Sequence, residues 1–403
     1  MLAHSPPFPI IIDHFLTDGG DLMTANDVEG IMLALEHRDR VRRIRLRLSI
    51  LIMEKVIVLI DGEFPMLEYL CIAPMYNMNL LFPRTFQAPQ LRHLILFNFS
   101  CPIETPLLSA AMHLVTLSLV NIPPSTYFQP DELLRRVSFM PQLEVLWIGF
   151  DFIYSKRYVH PNMMDMHNAE HISLPNLRFF QFGGFSAYSE ALISWITAPH
   201  LKVVRIAFWD EQPCSVTFLS EFMGTSQYLR LGSAILSFDI GRATLSVYPH
   251  QTARLSVFDM LIEGSPGHNV SNVAHILNTL SPLFSSVVDP TLDYKDYRLS
   301  LQLQNDGEPT DWRVLLRSFN NVKTLFIANS VTVVEKLRRS LQLGDGESPD
   351  DLLPELKELA YSPRSNNADA FSGFIDARQN AGHPVTLIHL KNAPLTPLFS
   401  HDP

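Results

Sequence analysis

The chain contains the heptapeptide Met140-Pro141-Gln142-Leu143-Glu144-Val145-Leu146, in which an apolar residue is followed by Pro, any residue, Leu, a polar residue, any residue and a second apolar residue. Five close copies stand at residues 64–70, 88–94, 174–180, 198–204 and 353–359. A short repeated unit cannot bury its apolar face alone and must stack on its neighbours. The heptapeptide therefore predicts a repeat architecture.

The leucine at the fourth position of each copy sets the period. The series runs through Leu67, Leu91, Leu114, Leu143, Leu177 and Leu201, where Leu114 opens a copy without proline. The spacings begin within the leucine-rich-repeat range of about 20–29 residues and extend beyond it. Within a copy the apolar residues fall at i, i+3 and i+5, and the last two alternate as on the buried face of a strand. The proline suits the start of a strand because it has no N–H to give to a ladder.

Segments with helical periodicity lie between the predicted strands, at residues 105–112, 131–139, 187–197 and 215–223. Strands that alternate with helices form parallel sheets with right-handed crossovers. The sequence therefore predicts an α/β fold. We expect a leucine-rich-repeat-like solenoid, with a parallel curved sheet on its concave side and helices and loops on its convex side.

The repeats predict a single domain over residues 1–403. Within it we expect an N-terminal strand-helix-strand edge at 1–50, regular repeats at 51–225, irregular degenerate repeats at 226–305, C-terminal repeats at 306–392 and a tail at 393–403. In the irregular part, short alternating runs predict strands at 234–240, 244–247 and 254–257, and the spacing predicts a helix at 271–284.

Composition and charge exclude several classes of protein. A formal net charge of −10 disfavours a nucleic-acid-binding protein, which needs a broadly basic surface. The three cysteines, at 71, 101 and 214, are odd in number and lack metal-site spacing, so we expect a reducing compartment and an intracellular protein, cytoplasmic or nuclear. No stretch is long enough to span a bilayer, and the first residues lack the basic region of a secretion signal. We therefore expect no membrane partner.

The residues between the framework positions are predicted to face the concave side of the sheet. They are rich in the aromatic side chains that protein interfaces enrich at their centres. The predicted partner-binding residues there are Tyr69, His93, Phe97, Trp147, Phe179, Gln181, Arg205 and Phe326. The alternative is that helices, a C-terminal cap or the irregular middle cover them.

Three arginines alternate with apolar residues near the N-terminal edge. Arg43, Arg45 and Arg47 are predicted to share one side of a strand. A solvated strand face is one interpretation. The other is a docking site for an acidic partner, because guanidinium groups in a row can form paired hydrogen bonds with carboxylates or phosphates.

Motifs of catalysis are missing from the sequence, which has no phosphate-binding glycine loop, no Gly-x-Ser-x-Gly and no His-Glu-x-x-His. The best candidate for a catalytic or metal site is a loop that carries His160, His167, Glu170 and His171. His167 and His171 stand at i and i+4, so they could share one face of a helix and bind a divalent ion. A solvent-exposed histidine cluster is the simpler interpretation. We expect a non-enzymatic protein without a cofactor, and the alternative is a metal-dependent enzyme or a metal-binding protein centred on this loop.

Several motifs resemble the large F-box-like proteins of mushroom-forming fungi, and the resemblance covers nearly the whole chain. They are the run Asp311-Trp312-Arg313-Val314-Leu315-Leu316-Arg317-Ser318-Phe319-Asn320-Asn321-Val322-Lys323-Thr324-Leu325, the return Leu353-Pro354-Glu355-Leu356, the helix Phe374-Ile375-Asp376-Ala377-Arg378-Gln379, the segment Gly382-His383-Pro384-Val385 and the N-terminal Ser5-Pro6-Pro7-Phe8-Pro9-Ile10-Ile11-Ile12-Asp13. The resemblance implies a substrate-receptor-like repeat domain of an F-box-type ubiquitin ligase component, which binds a protein target.

We expect no F-box within this sequence, because in that family it precedes the first strand and the sequence begins after that point. The single helical segment at residues 24–37 does not supply three helices. We therefore expect the ligase adaptor to bind only if an F-box lies upstream.

Overall fold

The computed structural model describes residues 8–15, 23–75, 79–151, 170–209, 216–239, 242–250, 253–263, 269–294, 309–328, 331–342, 348, 351–361 and 371–389. Within them the chain has an α/β fold and divides into two compact units. The first unit comprises residues 1–184 and 191–201, and the second comprises residues 185–190 and 202–403. The prediction of one repeat domain stays a prediction.

Each proline heptapeptide begins with a β-turn. The N–H of its leucine donates a hydrogen bond of 3.0–3.2 Å to the carbonyl three residues earlier. Proline takes the second position of the turn, where its fixed φ is favourable. These bonds join Leu67 to Phe64, Leu91 to Ala88, Leu143 to Met140, Leu177 to Leu174, Leu201 to Ala198 and Leu356 to Leu353. The proline therefore shapes the turn that leads into each strand, and every one of these leucines is buried.

The first unit contains both strands and helices. Its elements are β1 Ile10–His14, α1 Ala25–Glu36, β2 Val41–Leu48, α2 Ile50–Ile60, β3 Tyr69–Pro74, β4 Leu80–Leu81, β5 His93–Phe97, β6 Phe99–Ser100, α3 Pro106–Ser109, β7 Thr116–Ile122, α4 Pro130–Val137, β8 Val145–Phe150, β9 Ile172–Ser173, β10 Phe179–Gly184 and β11 Ile196–Thr197. Strands and helices alternate from β1 to β3 and again from β6 to β8, whereas the strands from β3 to β6 follow one another with no helix described between them. Helix α5, Ser186–Ile193, has residues in both units. Helix α1 begins at a capping box, in which Thr24 and Asp27 each bond the other's backbone N–H.

The strands of the first unit form a parallel sheet in the order β1-β2-β3-β5-β7-β8-β10. Their register aligns Leu70, Leu94, Leu117, Leu146 and Phe180 in one row that is 0% exposed. Short parallel pairs join β4 to β6 and β9 to β11. The predicted parallel strand pairing of the regular repeats is confirmed in this unit.

Phenylalanines pack together in the connecting segments of the first unit. The ring of Phe86 lies 5.7 Å from that of Phe64 and 5.3 Å from that of Phe82, which in turn lies 6.1 Å from Phe99. All four side chains are buried. Such offset and edge-to-face contacts stabilise aromatic clusters, so the segments between strands have a core of their own.

The second unit continues the alternation with one interruption. Its elements are β12 Val203–Phe208, α6 Thr217–Gly224, β13 Ser233–Asp239, β14 Arg242–Tyr248, β15 Phe258–Glu263, α7 Asn269–Thr279, α8 Ser281–Phe284, β16 Asp289–Tyr294, α9 Pro309–Arg317, β17 Thr324–Ala328, α10 Val331–Ser340, β18 Glu358–Tyr361, α11 Ser372–Asn380 and β19 Thr386–His389. Glu190 caps the start of α6, where its carboxylate accepts hydrogen bonds from the N–H groups of Phe218 and Leu219 at 2.8 and 3.1 Å.

The strands of the second unit run in the order β12-β15-β14-β13-β16-β17-β18-β19. Strand β14 is antiparallel to both β13 and β15, whereas the other described pairs are parallel. Asp239 pairs with Arg242, and a connection as short as the one between them permits only an antiparallel hairpin. This three-stranded meander differs from the fully parallel sheet that the sequence predicts.

The predicted helices lie within a few residues of the observed ones, but two details of the irregular part differ. The predicted helix at 271–284 is two helices, and Pro282 stands in the first turn of the second one. The predicted strand at 254–257 is wrong, because β15 begins at Phe258 and Leu255 is 78% exposed. Across the described ranges, each helix is too short or too polar to cross a membrane.

Candidate functional site

Two rows of side chains alternate with the buried rows of the first-unit sheet. The first row aligns Ile11, Arg43, Tyr69, His93, Thr116, Val145 and Phe179. The second aligns Asp13, Arg45, Cys71, Ile95, Ser118, Trp147 and Gln181. Most of these side chains are half-buried or exposed, in contrast to the buried rows beside them. We call these two rows, with Phe97 and Arg47, the first-unit face.

The edge of the first-unit face is a cationic cluster of Asp13, Phe15, Arg43, Arg45 and Tyr69. Asp13 lies 3.7 Å from Arg43 and 3.9 Å from Arg45, measured between carboxylate oxygen and guanidinium nitrogen. Arg43 Cζ lies 4.5 Å from the centre of the Tyr69 ring, and Arg45 Cζ lies 4.6 Å from that of Phe15. Each guanidinium is therefore held by one ring and one shared carboxylate.

Polar contacts continue from the cationic cluster along the first row. The rings of Tyr69 and His93 lie 5.5 Å apart, and His93 Nδ1 is 3.0 Å from the Thr116 hydroxyl. Burial raises the pKa of the Tyr69 hydroxyl, and it raises the pKa of the Cys71 thiol to about 11. Cys71 therefore stays a neutral thiol at physiological pH and is a poor nucleophile.

An aromatic pair occupies the other part of the first-unit face. The rings of Phe97 and Trp147 meet edge to face with their centres 5.9 Å apart, and both side chains are half-buried. Phe179 and Gln181 stand on the next strand, in register with Val145 and Trp147. Ser118 stands on β7, between the strands of Phe97 and Trp147, and its buried hydroxyl has no hydrogen-bond partner in the part of the chain that the structure describes. This region offers apolar area with rigid side chains.

Three other predicted residues lie apart from these clusters. Arg47 is half-buried on β2, in register with Ala73. Arg205 belongs to the second unit, where it is exposed and pairs with Asp259 at 3.4 Å. Phe326 is also in the second unit, half-buried on β17 in register with Thr291.

The histidine loop is described only at its end. His160 and His167 lie outside the described residues, and the ring of His171 packs 4.8 Å from that of Trp195. In the part of the chain that the structure describes, no three His, Cys, Asp or Glu side chains are grouped to hold a metal ion. The predicted metal site stays a prediction.

Asp13 and Phe15 are part of the cationic cluster that the sequence did not reveal. Both follow the apolar run of β1, and parallel pairing of β1 with β2 brings Asp13 opposite Arg45. The sequence did contain one signal, namely an acidic residue near the end of β1 and basic residues along β2. The register that brings these residues opposite each other is not encoded locally.

Stability should depend on pH through His93. Its pKa lies below the ordinary 6.5, because burial disfavours the charged ring and because Arg92 and Arg43 repel it. The folded chain thus binds this proton less readily than the unfolded chain, so stability is full above pH 6.5 and is lost as the pH falls towards the folded pKa. In urea denaturation at about pH 7.5 and about pH 5, the wild type should lose more stability than His93→Gln. An equal loss in both would contradict this origin.

Comparison with known protein families found no matching family model. Searches against curated proteins and against solved structures also found no match. The resemblance to fungal F-box-like proteins therefore rests on the quoted motifs alone, and the first-unit face is the candidate site on the evidence of its own geometry.

Proposed function

We propose that this protein is a non-enzymatic interaction module that binds a protein target on its first-unit face. The observation that carries the proposal is the pairing, on one sheet face, of a cationic cluster with the half-buried Phe97 and Trp147. Tyr, Trp and Arg are the residues that dominate binding energy at protein interfaces. Side chains held by their neighbours lose little entropy on binding.

The proposed architecture is a leucine-rich-repeat-like solenoid of the kind found in substrate receptors of F-box-type ubiquitin ligases. Two features support it: the turn that recurs in every proline heptapeptide, and the parallel pairing that aligns equivalent residues of successive strands in the first unit. In such a receptor the sheet face holds the target. The fungal resemblance adds the expectation that target binding leads to ubiquitination if an F-box lies upstream.

The test is quantitative affinity capture from a fungal lysate with the full chain as bait. We expect a target retained by the wild type and depleted about tenfold or more by Trp147→Ala, since loss of a central aromatic side chain costs at least about 2 kcal/mol. The matched control is Phe139→Ala, which removes an aromatic side chain that is 56% exposed and lies outside the first-unit face.

Two results would count against the proposal. One is a set of captured proteins that is the same for the wild type and Trp147→Ala. The other is an equal depletion by Phe139→Ala. If the receptor role is right, the target identified in this way should also have a longer half-life in cells that lack the chain, as measured by a translation-block chase.

A further inference from the structure

We propose that the cationic cluster binds an extended acidic peptide segment of the partner, with its carboxylates on Arg43 and Arg45. This inference rests on the proposed function and names the chemistry of the partner. The two arginines stand two residues apart on β2, and their side chains are 40% and 37% exposed. Both are therefore accessible to a ligand at the edge of the first-unit face.

The spacing of the two arginines fits an extended peptide. Alternate residues of a strand are about 6.6 Å apart, and the same holds for alternate side chains of an extended ligand. A segment with Asp or Glu at every second position therefore presents its carboxylates at the spacing of Arg43 and Arg45. Arginine suits this pairing because its planar fork can donate two hydrogen bonds to one carboxylate.

The charge of the cluster is unbalanced. Two guanidinium groups share the single carboxylate of Asp13, at distances of 3.7 and 3.9 Å. Charge-assisted hydrogen bonds are shorter, at about 2.7–2.9 Å. A guanidinium has five N–H donors, so among the described residues the two arginines have donor capacity beyond what the Asp13 carboxylate accepts.

The rings beside the arginines favour binding without rearrangement. Tyr69 and Phe15 lie against the guanidinium groups of Arg43 and Arg45 at 4.5 and 4.6 Å. Such contacts restrict the side chains and leave the in-plane N–H groups to meet a ligand. A carboxylate is the favoured anion because one carboxylate, that of Asp13, already lies between the two groups.

The test uses fluorescence anisotropy with the full chain and a fluorescein-labelled ten-residue peptide of alternating Glu and Thr. A Gln-Thr peptide is the neutral control, and a phosphoserine-Thr peptide tests the other anion. The chain carries a net charge of −10, so its surface as a whole disfavours the acidic peptide. Binding therefore reports on a local cationic site.

We expect the double variant Arg43→Gln, Arg45→Gln to weaken binding of the Glu-Thr peptide about tenfold or more, as the loss of charge-assisted hydrogen bonds implies. The matched control is Arg42→Gln, since Arg42 is adjacent in sequence, 52% exposed and paired with Glu68 outside the cluster. It should change affinity by less than about twofold. Asp13→Asn should strengthen binding, because it removes the competing carboxylate.

Failure to bind the Glu-Thr peptide, an equal loss with Arg42→Gln, or binding of the phosphoserine peptide alone would overturn the inference. Weaker binding by Asp13→Asn would overturn the role given to Asp13. These outcomes are separate from the capture experiment. If capture of a target depends on Trp147 but the Glu-Thr peptide does not bind, the inference of an acidic segment is wrong. The proposed function is then still supported.

Discussion

Replacement of Trp312 by alanine should lower the free energy of unfolding by about 3–5 kcal/mol, the usual cost of removing a buried tryptophan. Trp312 is 1% exposed on α9, and its ring lies 5.4 Å from that of Phe238 on β13. The substitution leaves a large cavity between a helix and the meander. Chemical denaturation followed by far-UV circular dichroism measures the loss.

Two further variants separate the effect of volume from that of the indole N–H. Trp312→Phe keeps a ring and removes a buried N–H that has no hydrogen-bond partner among the described residues, so it should cost clearly less than alanine. Val314→Ala is the matched control in the same helix, because Val314 is 44% exposed, and it should change stability by less than about 0.5 kcal/mol. A loss at Trp312 no larger than that at Val314 would contradict the packing described.

Replacement of Arg378 by alanine should cost about 3 kcal/mol, since hydrogen bonds from charged groups contribute about 1.5–3 kcal/mol each. Arg378 is 1% exposed on α11, and its Nη2 donates to the carbonyls of Pro354 and Leu356 at 3.0 and 3.3 Å. These carbonyls belong to the last proline turn, in which Leu353 has a φ of +55°. That conformation is unfavourable for a side chain and needs support from its surroundings.

The effect should be local as well as large. Hydrogen exchange should show that β18 and β19 lose protection in Arg378→Ala, because the turn before β18 loses its anchor. Arg317→Ala is the matched control, since Arg317 ends α9 and is exposed. Unchanged protection of both strands in Arg378→Ala would show that the turn holds without the arginine.

The buried leucines of the repeats were predictable because their positions follow from the local sequence pattern. Leu67, Leu91 and Leu143 are each at most 1% exposed, as the period of the heptapeptide requires. The alternation that buries Leu146 also places Trp147 on the opposite face. Successive side chains of a strand point to opposite faces of the sheet. Once the buried residues were identified, the residues on the opposite face could therefore be predicted without tertiary information.

The features that the sequence did not reveal depend on partners distant in the chain. Asp13 joins the cationic cluster only through the register of β1 against β2. Arg378 on α11 anchors a turn that lies before β18, more than twenty residues earlier in the chain. Neither a propensity nor a period encodes such contacts. For the same reason, the alternating runs of the irregular part indicated strands but neither their order nor their direction.

The reversed strand order of the meander has a consequence for how the protein folds. In the first unit Leu70 pairs with Leu94, whereas in the second Val204 pairs with Phe258 and Ser233 with Asp289, partners more than twice as far along the chain. A strand in the first unit can add to the one before it, but β12 can pair with β15 only after the whole hairpin region has been made. Residues 203–294 should therefore form a single cooperative nucleus with high contact order, and this nucleus should set the folding rate of the second unit.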